Sequence, residues 1–433
     1  MSSLRSNRSF LRLFVGRLTT NAGDSLYYVA AMWLVWELTH DPLYTGIAGF
    51  LTQAPNAAQF LVGPLVDRWQ LRRVLVAAQA TQAVLVLAVP LAAFTGHLSP
   101  WVVLAVMPLL AAVDQFTSPA QTAALPLVVD DEELTTANSL YATTSRAADT
   151  VFNALSGVLV AAVGAVALYL VDAVTFLAAT LLFLGLRLDD ETDDPTGADD
   201  TESTVSAFEQ YRRELAVGSS YLRGSVLVVV VVGAMAVNFT GAATMAVLPA
   251  FAASFDGASS YGLLAAALSV GTLVGTAGVS LVDDVPYGSL GPACLVASGV
   301  TFAGVALVDW FPATLGLLAL AMLPMGVFNV LFQSLLQSGV DDELLGRVSS
   351  LVGSGTAVTM PLGSLAGGAV AGWLSPAGLI LVQACAVSVL GVAFGLHSRF
   401  RALPPVGEVD ETVLDLGEQR TERGDDRTVE TAD

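Results

Sequence analysis

The chain contains no lysine, because all 18 of its basic residues are arginine. A P-loop needs a lysine beside the bound phosphates, so a self-contained ATPase of that type is excluded. Only two cysteines, Cys294 and Cys385, and three histidines are present, scattered along the sequence. They form neither a disulfide framework nor a zinc motif. We expect no metal, no cofactor, no nucleic-acid partner and, since no nucleophile–base pair stands out, no enzyme activity.

Charge is also scarce: 13% of the residues are charged, against about a quarter in soluble proteins, and 54% are hydrophobic. The apolar residues form runs of about 20 or more, enough for a helix to span the ~30 Å hydrocarbon core of a bilayer. A cleaved signal peptide at the N-terminus is the alternative for the first run. That run carries Arg17, Asn21 and Asp24 without a clear cleavage site, so we interpret it as a retained span. The sequence predicts an all-α, multi-pass protein of the cell membrane.

Breaks at proline, glycine and charged residues divide the apolar runs into twelve predicted spans. They cover roughly residues 11–38, 44–66, 74–95, 101–128, 137–162, 165–186, 225–252, 260–282, 289–308, 313–338, 347–372 and 376–397. The arginines outside the spans all fall on one side, including those at 5–12, 68–73, 212–223 and 399–401. The positive-inside rule predicts that this side, with both termini, is cytoplasmic.

An internal repeat divides the chain into two halves. "DDEELTTANSL" from Asp130 and "DDELLGRVSSL" from Asp341 align with a shift of 211 residues, and the same shift places Gly157 on Gly368. We predict two six-helix bundles, an arrangement found in major facilitator transporters. Their bounds are 1–186 and 225–398, with a cytoplasmic linker at 187–224, acidic and then amphipathic, and an acidic tail at 399–433. The acidic, lysine-free composition, with a net charge of −20, suggests a halophilic source.

The loop between spans 2 and 3 reads "GPLVDRWQLRRVL". It resembles the signature loop of the major facilitator superfamily, G-x-L-A-D-R-x-G-R-R-x-x-L, although Gln70 and Leu71 depart from that pattern. The resemblance implies a cytoplasmic latch between the two halves that opens during transport. Its residues here are Gly63, Asp67, Arg68 and Arg72.

Residues 10–400 further resemble the branch that contains enterobactin exporters and macrolide efflux pumps. The features shared are Gly23-Asp24 in span 1, the loop after span 4 and "LGRVSS" before span 11. Many proton-driven antiporters also carry G-P-x-x-G-G in span 5 and an arginine in span 4. This chain has "FNALSG" at 152–157 and no arginine in span 4, which argues against proton antiport and leaves Na⁺ open as coupling ion.

Ionisable residues inside the predicted spans are candidate functional residues, since a charge at mid-membrane costs ~2.5–3.5 kcal/mol. We rank Asp114 first as a proton carrier because its own span holds no basic residue, then Asp24, and add Asp172. Each has an alternative role in a structural hydrogen bond, and Arg146 and Asp149 can simply neutralise each other. Candidate cavity-lining residues share helix faces with these groups: Asn21, Tyr28, Ser118, Gln121, Arg146, Asp149, Asn153, Asn238, Asn329 and Gln333.

The resemblance and the composition together predict a secondary active transporter. We expect a monomer that exports hydrophobic or amphiphilic small molecules across the lipid bilayer, driven by H⁺ or Na⁺. Three alternatives remain open at this point: an importer, a lipid-flipping relative, and a transport-inactive receptor or scaffold on the same fold.

Overall fold

The computed structural model describes residues 4, 6–58, 62, 69–188, 227–340 and 342–409. Within these ranges every regular element is helical and no strand occurs. Twelve long helices follow one another: α1 Arg8–Thr39, α2 Pro42–Gln53, α3 Leu71–Phe94, α4 Pro100–Ala124, α5 Leu134–Val163, α6 Ala165–Leu184, α7 Leu227–Ala252, α8 Ala258–Ala277, α9 Tyr287–Leu307, α10 Phe311–Gly339, α11 Asp342–Val370 and α12 Pro376–Leu396. A short helix, α13 Ser398–Arg401, follows, and 3₁₀ turns occur at Ala54–Ala58, Asp131–Glu133, Val279–Leu281 and Val406–Glu408.

Each predicted span corresponds to one of these helices, in order, so the all-helical, multi-pass fold is confirmed. In the described part of the chain, nine helices are long and apolar enough to cross a membrane, namely α3 to α10 and α12. Helix α1 carries several charges. Helix α2 ends at Gln53 and passes into the 3₁₀ turn Ala54–Ala58, beyond which most of predicted span 2 lies outside the described residues.

The sharp turn between α1 and α2 follows from its local sequence, "THDP". His40 adopts a left-handed conformation with φ of 51°, and its N–H donates to the Trp36 carbonyl at 2.7 Å, which ends α1. Asp41 then caps α2 by accepting the Leu43 N–H at 2.9 Å. Pro42 suits the first helical position because that position needs no N–H donor. The turn therefore fixes where α1 and α2 meet.

The chain forms two compact units. The first comprises Met1–Phe208, Gly241–Val270 and Met360–Leu379, and the second comprises Glu209–Thr240, Gly271–Thr359 and Ile380–Asp433. The proposed division into sequence halves at 187–224 stays a prediction. In the first unit α1 contacts α2, α4, α5 and α6, while α3 packs on α4 and α6.

The described part of the second unit is held together by aromatic packing where α9 begins. Tyr287 lies 5.5 Å from Phe400, and Phe400 stacks on Phe394 at 4.4 Å, between ring centroids. The chain after α13 returns to the start of α9, where the N–H groups of Tyr287 and Gly288 donate to the carbonyls of Pro404 and Leu403. Backbone bonds of this kind fix the segment after α12 against the bundle.

Candidate functional site

Four aspartates from four helices of the first unit interact through Asp24, and we call them the carboxyl cluster. Asp24 on α1 interacts electrostatically with Asp114 on α4, Asp172 on α6 and Asp149 on α5. Asp24 is thus the shared member, and Asp24, Asp114 and Asp149 are partly buried whereas Asp172 is fully buried. Sequence reasoning named all four residues separately, and the structure brings them together.

Asp172 lies in the most enclosed part of the carboxyl cluster. The Thr175 hydroxyl donates to the Asp172 backbone carbonyl at 2.7 Å and lies 3.2 Å from carboxylate Oδ1. The other carboxylate oxygen, Oδ2, has no hydrogen-bond partner in the structure, and neither have the buried hydroxyls of Tyr27 and Tyr169. The two tyrosine rings pack edge to face with centroids 5.4 Å apart. An unpaired polar atom in such a place costs about 1–3 kcal/mol, so this group of atoms has capacity for a proton or a hydrogen-bonding ligand.

Gly23 explains how α6 reaches α1 at this point. A Cβ atom built on Gly23 would collide with Asp172 Oδ1 and with the Thr175 hydroxyl, and would lie 3.1 Å from Thr175 Cβ. Small residues let membrane helices approach closely, which here brings Asp172 beside Asp24. The Gly-Asp pair of span 1 therefore joins close helix packing to a carboxyl group.

We expect Gly23→Ala to displace the Asp172–Thr175 pair from α1. Overpacking of this kind costs about 1–3 kcal/mol, so thermal unfolding of the purified protein in detergent should occur at a lower temperature. Gly353→Ala is a matched control, since nothing lies within 4 Å of a Cβ built there. Unfolding at the wild-type temperature in Gly23→Ala would contradict the close α1–α6 contact.

Asp114 has a cationic neighbour that its own span does not reveal. Arg17 on α1 acts electrostatically on Asp114. The Arg17 guanidinium also lies over the Tyr141 ring of α5, 4.2 Å from its centroid, as a cation–π contact. The ranking of Asp114 above Asp24 assumed that Asp114 is remote from cations, and the structure removes that assumption.

The other candidate residues occupy several environments. Asn21 and Tyr28 on α1 are partly buried, as is Asn153 on α5. On α4, Ser118 is exposed and Gln121 is buried with its side-chain nitrogen unpartnered. The Arg146 side chain lies outside the described part of the chain.

The candidates in the second unit are more remote from this cluster in sequence. Asn238 donates to the carbonyl of Ala234 in its own helix at 2.9 Å. Asn329 and Gln333 are exposed, one turn apart on α10. Their role in lining a cavity stays a prediction.

Sequence reasoning missed a set of buried amides. On α3, Gln79 donates to Gln82 at 2.9 Å and lies 3.5 Å from the Thr117 hydroxyl of α4. Gln115 of α4 donates to Asn56 at 2.8 Å. The available signal was an amide side chain within an apolar run, because such a group must find a partner between helices.

Only one residue of the predicted latch can be located. The Arg72 guanidinium donates to the Leu184 carbonyl at 2.5 Å, at the end of α6. Gly63, Asp67 and Arg68 lie outside the described residues, so their pairing stays a prediction.

Glycine backbones touch at the end of the first unit that contains the α1–α2 turn. Gly157 on α5 contacts Gly262 on α8, and Gly46 on α2 contacts Gly368 on α11. The 211-residue repeat places Gly157 on Gly368, so glycines at equivalent repeat positions each contact a glycine, on α8 and on α2 respectively. We call these pairs the glycine contacts.

Two further contacts lie near the glycine contacts. The Thr45 hydroxyl donates to the Ala246 carbonyl at 2.6 Å, and Trp33 stacks on Tyr261 with centroids 5.7 Å apart. Together they link helices α1 and α2 to α7 and α8.

The described residues contain no group of three or more histidine, cysteine or acidic side chains placed to hold a metal ion.

Comparisons with known proteins agree with this fold. The Major Facilitator Superfamily profile matches residues 13–364. Over 140 residues the chain is 25% identical to the uncharacterized MFS-type transporter YvqJ of Bacillus subtilis (strain 168), covering 32% of this chain and 33% of that protein. The chain thus spans about a third of the length of the curated relative that it matches. This relative does not test the resemblance to the enterobactin and macrolide branch, which stays a prediction.

Several solved structures are also similar. The nucleoside transporter NupG superposes with a TM-score of 0.63 at 16% identity, covering 89% of this chain and 97% of that one. A bacterial homologue of the iron transporter ferroportin in an inward-facing state superposes with a TM-score of 0.64 at 17% sequence identity. The match covers 89% of this chain and 98% of that one. A bacterial homologue of the human lysosomal transporter Spinster, in an inward-facing and unoccupied conformation, superposes with a TM-score of 0.61 at 14% sequence identity. The match covers 91% of this chain and 96% of that one. At these identities the likeness establishes the fold, and the profile match over most of the chain shows that this protein belongs to the major facilitator superfamily of membrane transporters.

Proposed function

We propose that the protein is a secondary active transporter that exports hydrophobic or amphiphilic small molecules by alternating access, with H⁺ as the coupling ion. The observation that carries this proposal is the carboxyl cluster around Asp24. Ionisable groups within a membrane bundle are costly and mark ion pathways or substrate sites. A purely structural aspartate would have its hydrogen bonds satisfied, whereas Asp172 Oδ2 has no partner in the structure.

The geometry of the carboxyl cluster suits proton coupling. Carboxyl groups that approach one another in apolar surroundings repel when both are charged, so such a group favours holding a proton. Arg17 acts electrostatically on Asp114, so a cation as well as the carboxyl groups takes part in this network. Asp24 interacts with both Asp114 and the buried Asp172, so in this proposal it gains and loses the proton as solvent reaches it from one side and then the other.

The glycine contacts supply the gate in this proposal. We infer that the end containing them is the outer end, closed here, because the arginine-rich end is cytoplasmic by the positive-inside rule. Alternating access then requires the glycine contacts to part and close again in each cycle.

The test is a flux measurement in proteoliposomes. A panel of amphiphilic compounds, with a sugar and a nucleoside as comparison, is assayed with an imposed pH gradient, a Na⁺ gradient or none. We expect a pH gradient to drive at least one amphiphile against its concentration gradient, and a protonophore to abolish that movement. Movement driven only by Na⁺ would contradict proton coupling, and absence of any movement would favour the receptor or scaffold alternative.

A further inference from the structure

Two grooves flank the first turns of α3 on the outside of the helix bundle. The α3–α6 groove has a volume of about 830 Å³ and is lined by residues that include Arg72, Arg73, Val76, Ala80, Leu184 and Arg187. The α3–α4 groove has a volume of about 530 Å³ and is lined by residues that include Trp69, Arg73, Ala77, Thr81, Val113 and Phe116. Gln70, Arg73 and Ala77 line both grooves, which therefore meet at the same end of α3.

This shared end, which we call the arginine end, carries positive charge. Arg72, Arg73 and Arg187 line the α3–α6 groove, and its described lining contains no acidic residue. Arg72 donates to the Leu184 carbonyl at 2.5 Å, which occupies part of its guanidinium. Arg73 and Arg187 are exposed. The N-terminus of α3 adds to this positive field, because Gln70 makes no side-chain capping bond and the first turn holds no acid.

Beyond the arginine end the walls of both grooves become apolar. The same face of α3 continues with exposed Val84, Leu91 and Phe94, and α6 exposes Val174 and Leu181 beside it. An apolar surface of this extent on a membrane protein faces lipid chains. Both grooves therefore lead from a cluster of cations into the hydrocarbon region.

Trp69 marks the depth of the arginine end. Its ring is 49% exposed and stacks on Phe116 with centroids 5.9 Å apart and planes at 13°. Tryptophan is enriched where lipid headgroups meet hydrocarbon, and arginine extends to the same level. The arginine end thus lies at headgroup height.

We propose that α3 carries a binding site for an anionic phospholipid, with the phosphate bound by Arg73 and Arg187 and the two acyl chains lying in the α3–α4 and α3–α6 grooves. Basic pockets between transmembrane helices recognise anionic headgroups through charge and phosphate hydrogen bonds. Two grooves that meet at one cation cluster match a headgroup with two chains. This site goes beyond the transport function and is separate from the carboxyl cluster.

A second occupant with the right charge is the acidic segment of this chain at 189–203, "DDETDDPTGADDTES". It begins directly after Leu188, which lines the α3–α6 groove. The segment has no apolar side chain larger than alanine or proline, so it can neutralise the arginines but cannot fill the apolar lengths of the grooves. The walls formed by Val76, Val113 and Phe116 favour the lipid.

The test measures the lipid retained by the full-length protein. The protein is equilibrated in bilayers of equal parts phosphatidylglycerol and phosphatidylcholine and purified in mild detergent, and retained lipid is quantified by mass spectrometry. We expect the wild type to retain phosphatidylglycerol in preference to phosphatidylcholine. The double variant Arg73→Gln/Arg187→Gln should lose this preference, by about fivefold for each arginine. Arg399→Gln/Arg401→Gln removes the same charge from exposed arginines outside the grooves and should keep it.

Two further arms separate the sources of the bound anion. Brominated phosphatidylglycerol should quench a fluorescence component that Trp69→Phe removes, which locates the lipid at the grooves. Neutralising Asp189, Asp190, Asp193 and Asp194 to Asn should leave the lipid preference unchanged. Equal retention of both lipids by the wild type would overturn the proposal, and so would a lipid preference that appears only after the acidic segment is neutralised. Equal loss of the lipid preference in the two arginine double variants would also overturn it. If inorganic phosphate stabilised the protein while phosphatidylglycerol was not retained, the arginines would instead form a binding site for a free anion.

Discussion

Replacing Asp24 by Asn is expected to reduce pH-gradient-driven flux by at least about a factor of ten, equivalent to about 1.4 kcal/mol, while substrate exchange without a gradient continues. Asp24 is the shared member of the carboxyl cluster, acting on Asp114, Asp149 and Asp172. An asparagine keeps the size of the side chain and, like the protonated carboxyl, presents one acceptor and one donor group, but it cannot change its charge. The variant should therefore lose proton coupling and still bind its substrate.

Asp114→Asn is expected to abolish gradient-driven flux as well, but for a less direct reason. Arg17 acts on Asp114, so removal of that carboxylate leaves the partly buried Arg17 guanidinium against the Tyr141 ring without the compensating charge of Asp114. Removing one member of such a pair destabilises the fold. Loss of exchange together with gradient-driven flux in Asp114→Asn would identify a positioning role, whereas loss of coupling alone would identify a proton carrier.

Asp309→Asn is the matched control for both variants, because Asp309 is an exposed aspartate between α9 and α10. It should behave as wild type in both assays. Gradient-driven flux that survives in Asp24→Asn would remove Asp24 from the coupling mechanism. If Asp114→Asn also retained it, Na⁺ coupling or facilitated diffusion would replace proton coupling.

Gly157→Ala is expected to slow gradient-driven flux and gradient-free exchange equally. A Cβ at Gly157 would meet the backbone Cα, C and O atoms of Gly262, which cannot move aside as a flexible side chain would. Helices α5 and α8 must then separate, at a cost of about 1–3 kcal/mol to the state in which they touch. This cost corresponds to a shift of about five- to over a hundredfold in the gate equilibrium.

Gly157→Ala is tested by pH-gradient-driven flux and by substrate exchange without a gradient. Both should slow, because the gate must close in every cycle whether or not a proton is carried. Gly316→Ala is the control, because nothing lies within 4 Å of a Cβ built there. Wild-type exchange in Gly157→Ala would show that the α5–α8 contact is not part of the gate.

The helices could be predicted from the sequence because membrane spans are set by apolar length, a property of each segment alone. Predicted span 3, roughly 74–95, is α3 at Leu71–Phe94, and predicted span 12, roughly 376–397, is α12 at Pro376–Leu396. Predicted span 8 extends too far, since α8 ends at Ala277 and a 3₁₀ turn follows at Val279–Leu281. The glycine-rich, acidic stretch "GTAGVSLVDD" there does not sustain a helix.

The members of the carboxyl cluster could be named from the sequence, but their neighbours could not. The cost of burying charge singles out Asp24, Asp114 and Asp172 one at a time. That Arg17 faces Asp114, or that Gly23 admits Asp172, depends on how α1 is rotated against α4 and α6. Rotation is decided by packing of all three helices, which no single-segment pattern contains. The repeat predicted that Gly157 and Gly368 are equivalent, but not that each meets another glycine.

The central proposal is that Asp24 of the carboxyl cluster couples proton movement to export, so that substrate binding should displace a proton from this cluster. The most direct measurement records the pH of a weakly buffered solution of the purified protein as the amphiphile that it transports fastest is added. We predict proton release by the wild type that saturates with substrate binding and disappears in Asp24→Asn while binding persists. Saturable binding without proton release in the wild type, or the same release in Asp24→Asn, would contradict the account.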